Sequence, residues 1–266
     1  MKSPKATRRK ASARPKTQQS SPEISIVVPV LNEEGNITPL VEGIRETFSG
    51  RAIEIIYVND CSTDGSADEL ASLQQRIDCL RVLTHSERAG QSQALRSGIM
   101  AARAPLIATL DGDGQNPPGD LADLEAAVHD HRPGLVMAAG FRAKRQDGFS
   151  KRYASIFARK VRRLILQDNH PDTGCATKVF DRELYLRLPY FNHMHRFMAP
   201  LARREGATVV AMPVSHAART MGQSKYRTLD RLMVGISDII GVMWLIRRKP
   251  KQLEVTEHHG LSLIHI

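Results

Sequence analysis

The chain is predicted to be an α/β protein built on a mainly parallel central sheet. Short β-branched runs alternate with segments of helical length through the first half of the sequence, and those runs are mainly apolar, as expected of strands covered on both faces. No internal repeat at a period of about 20–50 residues points to a solenoid or propeller.

Ile24 to Val30, with Pro29 and Asn32 at its end, reads as a buried strand followed by a helix from about Glu34 to Phe48. Ile53 to Val58 reads as a second strand, Ser66-x-x-Glu69 as a capping box opening a helix, Leu80 to Thr84 as a third strand, and Gly90 to Arg103 as another helix. Pro105 to Leu110 gives a fourth strand, Pro118 to His131 a helix, Leu135 to Ala139 a strand, and Phe149 to Gln167 a long basic helix. The periodicity then loosens through a turn at Pro171 to Gly174, before a strand at Ala207 to Val214 and a last helix at Leu229 to Arg248. Crossovers of this kind place ligands beyond the carboxyl ends of the strands, so Pro29 to Glu33, Asn59 to Gly65 and Asp111 to Gln115 are expected on one rim.

The 266 residues, 41% hydrophobic and 25% charged, suffice for one sizeable core with tails. The net charge of +10 is uneven, because Lys2, Lys5, Arg8, Arg9, Lys10, Arg14 and Lys16 face no acid in the opening stretch. Residues 1–22 are therefore expected to be a disordered basic tail, suited to anionic lipid headgroups, to nucleic acid, or to solubility alone. Residues 23–226 form the expected catalytic domain and 227–250 an amphipathic helix. Residues 251–266 form a tail whose end, Gly260 to Ile266, resembles translated adapter sequence. Cys61, Cys79 and Cys175 show neither a disulfide framework nor a zinc spacing, and no secretory signal opens the chain, so the chemistry reads as cytosolic. Leu232 to Ile246 is shorter than the roughly 20 apolar residues needed to cross a bilayer. With Trp244 near its end and Arg247, Arg248 and Lys249 after it, it reads either as a helix lying in the interface at the cytoplasmic face or as a core or dimer helix.

Leu110-Asp111-Gly112-Asp113-Gly114-Gln115 sets two acids one residue apart directly after a strand. Such a pair suits a divalent cation, Mg²⁺ or Mn²⁺, that keeps substrate phosphates in its shell; Gln115 can add an amide oxygen and Gly112 lets backbone approach a ligand. An isolated D-x-D is also an ordinary turn. An EF-hand reading fails, because Asn116 and Ala122 stand where glycine and glutamate are required. A phosphatase with Asp111 as nucleophile would place the motif after its first strand, whereas three strands precede it here. Val28-Pro29-Val30-Leu31-Asn32-Glu33 and Asn59-Asp60-Cys61-Ser62-Thr63-Asp64-Gly65 put further acids past strand ends, and neither is a dinucleotide loop or a P-loop.

Together with Arg219-Thr-Met-Gly-Gln-Ser-Lys225, these segments resemble family two glycosyltransferases, most closely the dolichyl-phosphate mannosyltransferase branch that works on polyprenyl phosphates. The resemblance spans Ile24 to Arg248 and implies the GT-A type, Rossmann-like sandwich of nucleotide-diphospho-sugar transferases. It implies that Pro29, Leu31, Glu33, Val58 and Asp60 hold the nucleoside, and that Asp111, Asp113 and Gln115 bind the metal, with Asp113 central to catalysis. Gly112 and Arg142 would contact the donor, and Arg219 and Lys225 would close over the diphosphate. Leu31 stands where relatives often carry an aromatic residue, and Asn59 replaces an acid common before Asp60. A membrane-spanning extension found in some members is absent and would fall to a separate membrane protein.

The implied reaction is inverting transfer from GDP-mannose or a UDP-sugar to a polyprenyl phosphate, with no nucleic-acid partner. A phosphate acceptor arrives largely ionised and needs no general base, whereas a saccharide hydroxyl would need one. Asp172 is the candidate, a structural turn acid being the plainer reading. Arg152, Arg159, Arg162 and Arg163 could meet the acceptor phosphate or simply form a solvated face. The histidines read as structural. A catalytically idle, nucleic-acid-docking module is the remaining alternative.

Overall fold

In the computed structural model, the described residues are 21–142, 170–172, 174–217 and 228–249. Seven strands form one sheet in the order β3-β2-β1-β4-β6-β5-β7, where β1 is Ile24–Val30, β2 Ile53–Asn59, β3 Leu80–Thr84, β4 Leu106–Thr109, β5 Val136–Arg142, β6 Lys178–Asp181 and β7 Thr208–Val214. All pairings are parallel except those of β6, which runs against both β4 and β5. The mainly parallel sheet predicted from the apolar runs is thus present.

Helices α1 (Ile37–Thr47), α2 (Ser66–Gln74) and α4 (Asp120–Asp130) cover one face. The other face carries α3 (Gln91–Ala101), α5 (Arg182–Arg187), α6 (Met198–Arg204), a 3₁₀ turn at Met194–Arg196, and part of α7 (Thr228–Arg247). The period of two along β1 explains this: Ile24, Ile26, Val28 and Val30 feed the first core, while Val27 feeds the second. Gly98 lets α3 settle on the sheet, since a Cβ there would stand 2.4 Å from Val27 Cγ1.

Three local expectations need correction. The first helix begins at Ile37 rather than Glu34, because Gly35 takes a φ of 82° that breaks the helical run. Ser66 and Glu69 do not form a capping box: Ser66 Oγ accepts from Glu33 N at 2.9 Å, and Glu69 accepts from the amides of Gly35 and Thr38, both at 2.8 Å. Both side chains therefore cap the neighbouring loop. The stretch that looked irregular after Gly174 contains β6, α5 and α6, elements too short to show a period.

The basic tail, the long helix expected at Phe149 to Gln167 with its four arginines, and both Arg219 and Lys225 lie outside the described residues. Among the described residues no helix is long and apolar enough to cross a membrane. Along α7, Val242 is fully buried against the second core, whereas Ile240 is 56% and Trp244 58% exposed. Replacing Gly98 with valine should lower stability by about 2 kcal/mol through overpacking, read as an earlier midpoint in urea; an unchanged midpoint would mean that α3 does not rest on β1 as described.

Candidate active site

The three loops predicted to share a rim do so. Asn32, with a φ of 56°, donates its amide to Ser62 Oγ at 3.0 Å and accepts from Thr63 N at 2.7 Å. Glu34 accepts from Gly65 N at 3.0 Å, and its own amide donates to Asp64 at 3.2 Å. The β1–α1 loop carrying Leu31 and Glu33 is thereby fastened to the β2–α2 loop. Gly112 brings the D-x-D loop onto the end of β1: a Cβ would lie 2.5 Å from Val30 Cγ1 and 3.0 Å from the Pro29 carbonyl. Gly114 follows with a φ of 70°.

Asp111 accepts a hydrogen bond from Gln91 Nε2 at 2.7 Å. Burial, then repulsion from Asp113, push its carboxyl up to about 6, against the pull of Lys178, Arg142 and the Gln91 hydrogen bond. Two adjacent acids under that strain fit a divalent cation. Among the described residues no group of three or more His, Cys, Asp or Glu forms a ready-made cage. Gln115 donates its backbone amide to Asp113 at 3.2 Å and its side-chain nitrogen to the Ala217 carbonyl at 3.5 Å, while Ala217 N donates to the Gln115 carbonyl at 2.8 Å. The chain leading to Arg219 is therefore joined to the D-x-D loop at Ala217.

Because β6 is antiparallel, the segment before it arrives at the same rim. Arg142, the last residue of β5, donates to Asp172 through Nε at 2.6 Å and Nη2 at 3.1 Å. Both oxygens of this buried carboxylate are engaged by a permanently charged partner, which suits positioning Arg142 far better than accepting a substrate proton. Thr109 Oγ1 donates to the Ala176 carbonyl at 2.6 Å, fixing the segment against β4.

At the nucleoside end, Asp60 is 3% exposed. It accepts from Ala89 N at 2.9 Å and Gly90 N at 2.8 Å and pairs with His85 Nδ1 at 2.8 Å. Burial works to raise its pKa, but these three partners together hold it below the ordinary carboxylate range. Val58 is fully buried, with its side chain beside Gly98. Pro29, Leu31 and Glu33 remain partly exposed at the rim. Of the residues singled out from the sequence, Pro29, Leu31, Glu33, Asp111, Gly112, Asp113, Gln115, Arg142 and Asp172 stand at the strand-end rim, while the Val58 side chain and the Asp60 oxygens are already occupied by protein.

Behind Asp111 lies a cavity of about 250 Å³, lined among others by Gln91, Cys175, Lys178, His195, Arg196 and Met198. None of these emerged from sequence reasoning. Lys178 carried a signal, as a lone cation against the apolar Val179-Phe180. Burial draws its pKa down, while Cys175, Asp111 and Asp172 pull it back up. His195, reckoned structural, lines the cavity, and its Nδ1 lies 2.7 Å from Ser92 Oγ. Burial first, then Arg196, Lys178 and His193, take its pKa down to about 3, so the ring is neutral near pH 7.

A family model described as glycosyl transferase family 2 matches residues 25–188. Among curated proteins, dodecaprenyl-phosphate galacturonate synthase of Rhizobium johnstonii is 32% identical over 247 residues, covering 91% of this chain and 72% of that protein. Undecaprenyl-phosphate 4-deoxy-4-formamido-L-arabinose transferase of Serratia proteamaculans is 29% identical over 223 residues, covering 82% and 67%. Among solved structures, a Pyrobaculum calidifontis mannosyltransferase in complex with GDP-Man and Mn²⁺ superposes with a TM-score of 0.60 at 16% identity, covering 88% of this chain and 66% of that one. Glucosyl-3-phosphoglycerate synthase of Mycobacterium tuberculosis, in complex with Mn²⁺, UDP and glucosyl-3-phosphoglycerate, gives 0.60 at 17%, covering 91% and 88%. At such identities the structures speak for the fold alone.

If Asp111 holds a divalent cation, that cation must displace any proton on it, so Mn²⁺ affinity should hold steady above about pH 6 and fall roughly tenfold per unit below it. Calorimetry between pH 5 and 8 reads this directly; a flat profile would place the ion elsewhere.

Proposed function

The chain belongs to glycosyl transferase family 2 and has the family's GT-A type α/β fold, and on that footing we propose that it transfers a sugar from a nucleotide-sugar to a polyprenyl phosphate at a membrane surface. The observation that carries this reading is the D-x-D loop: Gly112 seats two carboxylates against the end of β1, with Arg142 held over the same rim by Asp172. Polyprenyl phosphate is the named acceptor of both sequence relatives, each matched over most of this chain.

In this proposal Asp111 and Asp113 hold Mg²⁺ or Mn²⁺, which when bound supplies positive charge to the departing nucleoside diphosphate. Arg142 faces the same developing charge and is preorganised for it, so its contribution needs no rearrangement during the reaction. Arg219 and Lys225 are proposed to close over the diphosphate from the segment that follows Ala217. The acceptor phosphate has a second pKa of about 6 and is mainly dianionic near neutral pH. It attacks the anomeric carbon directly, from the face opposite the leaving group, and inverts it. An acceptor of this kind leaves Asp172 free to serve Arg142 alone, which favours it over a saccharide hydroxyl.

The curated relatives are named for galacturonate, a hexuronate, and for 4-deoxy-4-formamido-L-arabinose, a modified pentose. The sugar is therefore proposed no more finely than the sugar of a nucleotide-sugar donor, with mannose or glucose as one outcome of the donor test. The membrane surface is proposed to meet the outer face of α7, where exposed Ile240 and Trp244 precede Arg247, Arg248 and Lys249. The basic tail 1–22 would add electrostatic attraction to anionic headgroups, and the catalytic unit is taken as residues 23–226.

Calorimetry with GDP, UDP, GDP-mannose and UDP-glucose should show one nucleotide binding tightly only with Mn²⁺, and Asp113→Ala should abolish that dependence. No binding by any of them would overturn the transferase reading. In a transfer assay with undecaprenyl phosphate, Asp172→Asn should weaken donor binding about 10-fold through loss of a charge-assisted pair, with turnover persisting. Complete loss of turnover at saturating donor would instead assign Asp172 the role of base for a hydroxyl acceptor.

A further inference from the structure

Lys178 is 5% exposed and lines the cavity behind Asp111. In the ladder it stands between Thr109 of β4 and Ala139 of β5, at the point where β6 enters the sheet from the rim. Among the described residues its ammonium donates one hydrogen bond, to the Cys175 carbonyl, and has no carboxylate within the 4.0 Å of an ion pair. Asp172 has both oxygens on Arg142, and Asp111 is held by Gln91.

A buried cation without a partner is costly, and proteins ordinarily pair it or neutralise it. An ammonium has three donors, so two remain for whatever enters the cavity. Arg196 contributes a second positive charge to the lining, Leu95 and Met198 make part of it apolar, and His195 is neutral. At about 250 Å³ the space is smaller than a drug-sized pocket and suits one sugar ring or one phosphate head.

Resting on the transferase reading above, we infer that Lys178, with Arg196, receives an anionic oxygen group of a substrate in this cavity. The group is either a carboxylate on the transferred sugar or the phosphate of the acceptor, and both present the same chemistry to the ammonium. On this account Lys178 is a substrate-binding residue, and a neutral sugar ring entering alone would leave its charge unsatisfied.

Lys178→Met keeps the length of the side chain and removes the charge, and Lys178→Arg restores it. If the acceptor phosphate is bound, Lys178→Met should raise the KM for undecaprenyl phosphate about 10- to 100-fold and be rescued by Lys178→Arg. If the sugar carboxylate is bound, the preference for UDP-glucuronate over UDP-glucose should collapse by a similar factor, with the acceptor KM unmoved. Independently of turnover, millimolar inorganic phosphate should raise the Tm of the wild type and leave that of Lys178→Met unaltered. Lys178→Gln carries the same comparison should the methionine variant fail to fold. Kinetic constants and a phosphate response that match the wild type within twofold would overturn the inference. A wild type that binds no nucleotide but still shows a Lys178-dependent phosphate response would overturn the transferase reading and leave the anion site standing.

Discussion

β6 runs against its neighbours, pairing with β4 on one side and β5 on the other, and this reversal governs what the rest of the sheet can do. In a fully parallel sheet the rim beyond the strands is supplied by loops that leave those strands. Here one segment arrives at the rim from the opposite direction. It brings Asp172 to Arg142, sets Ala176 against Thr109 and drives Lys178 into the cavity. The D-x-D carboxylates come from the β4 exit, Arg142 from the β5 exit, and Asp172 and Lys178 from the β6 entrance. Asp172 and Lys178 would not face the others if the strand were turned round.

Much of this was legible in the sequence. Strands covered on both faces declare themselves by runs that stay mainly apolar, here with only Ser25, Glu54 and Arg81 interrupting before the strand ends, so β1 to β4 are predicted to within a residue or two, and the rim loops follow from the rule that ligands gather at strand ends. The D-x-D pair alone reads equally as an ordinary turn, and it gained meaning from the other spaced motifs past strand ends. What escaped notice was short or borrowed. β6 has only the residues Lys178 to Asp181, too few to show a period. Ser66 and Glu69 have the spelling of a capping box, but their oxygens satisfy the loop before α1, a tertiary demand that outweighs the local one. Lys178, His195 and Gln91 meet only through sheet order, and no spacing along the chain announces it.

Charge tells a similar story. Asp111 resists ionisation because it is withdrawn from water beside Asp113, and burial likewise draws the Lys178 pKa down in the same neighbourhood. Each is compensated incompletely by protein. Arg142 and Asp172 show the contrasting case, a bidentate pair in which both charges are met. A site that leaves some charges unmet and locks others is arranged for ligands whose own charges are mixed, and a metal-bound diphosphate next to an anionic acceptor is such a ligand set.

The grip of Asp60 on the amides of Ala89 and Gly90 reaches further than the loop it closes. Gln91 is the next residue, and its side chain holds Asp111. The loop after β2 and the D-x-D loop after β4 are thus held by three successive residues at the mouth of α3. The middle one is Gly90, whose φ of 88° few other residues tolerate, so a side chain there would disturb both attachments at once.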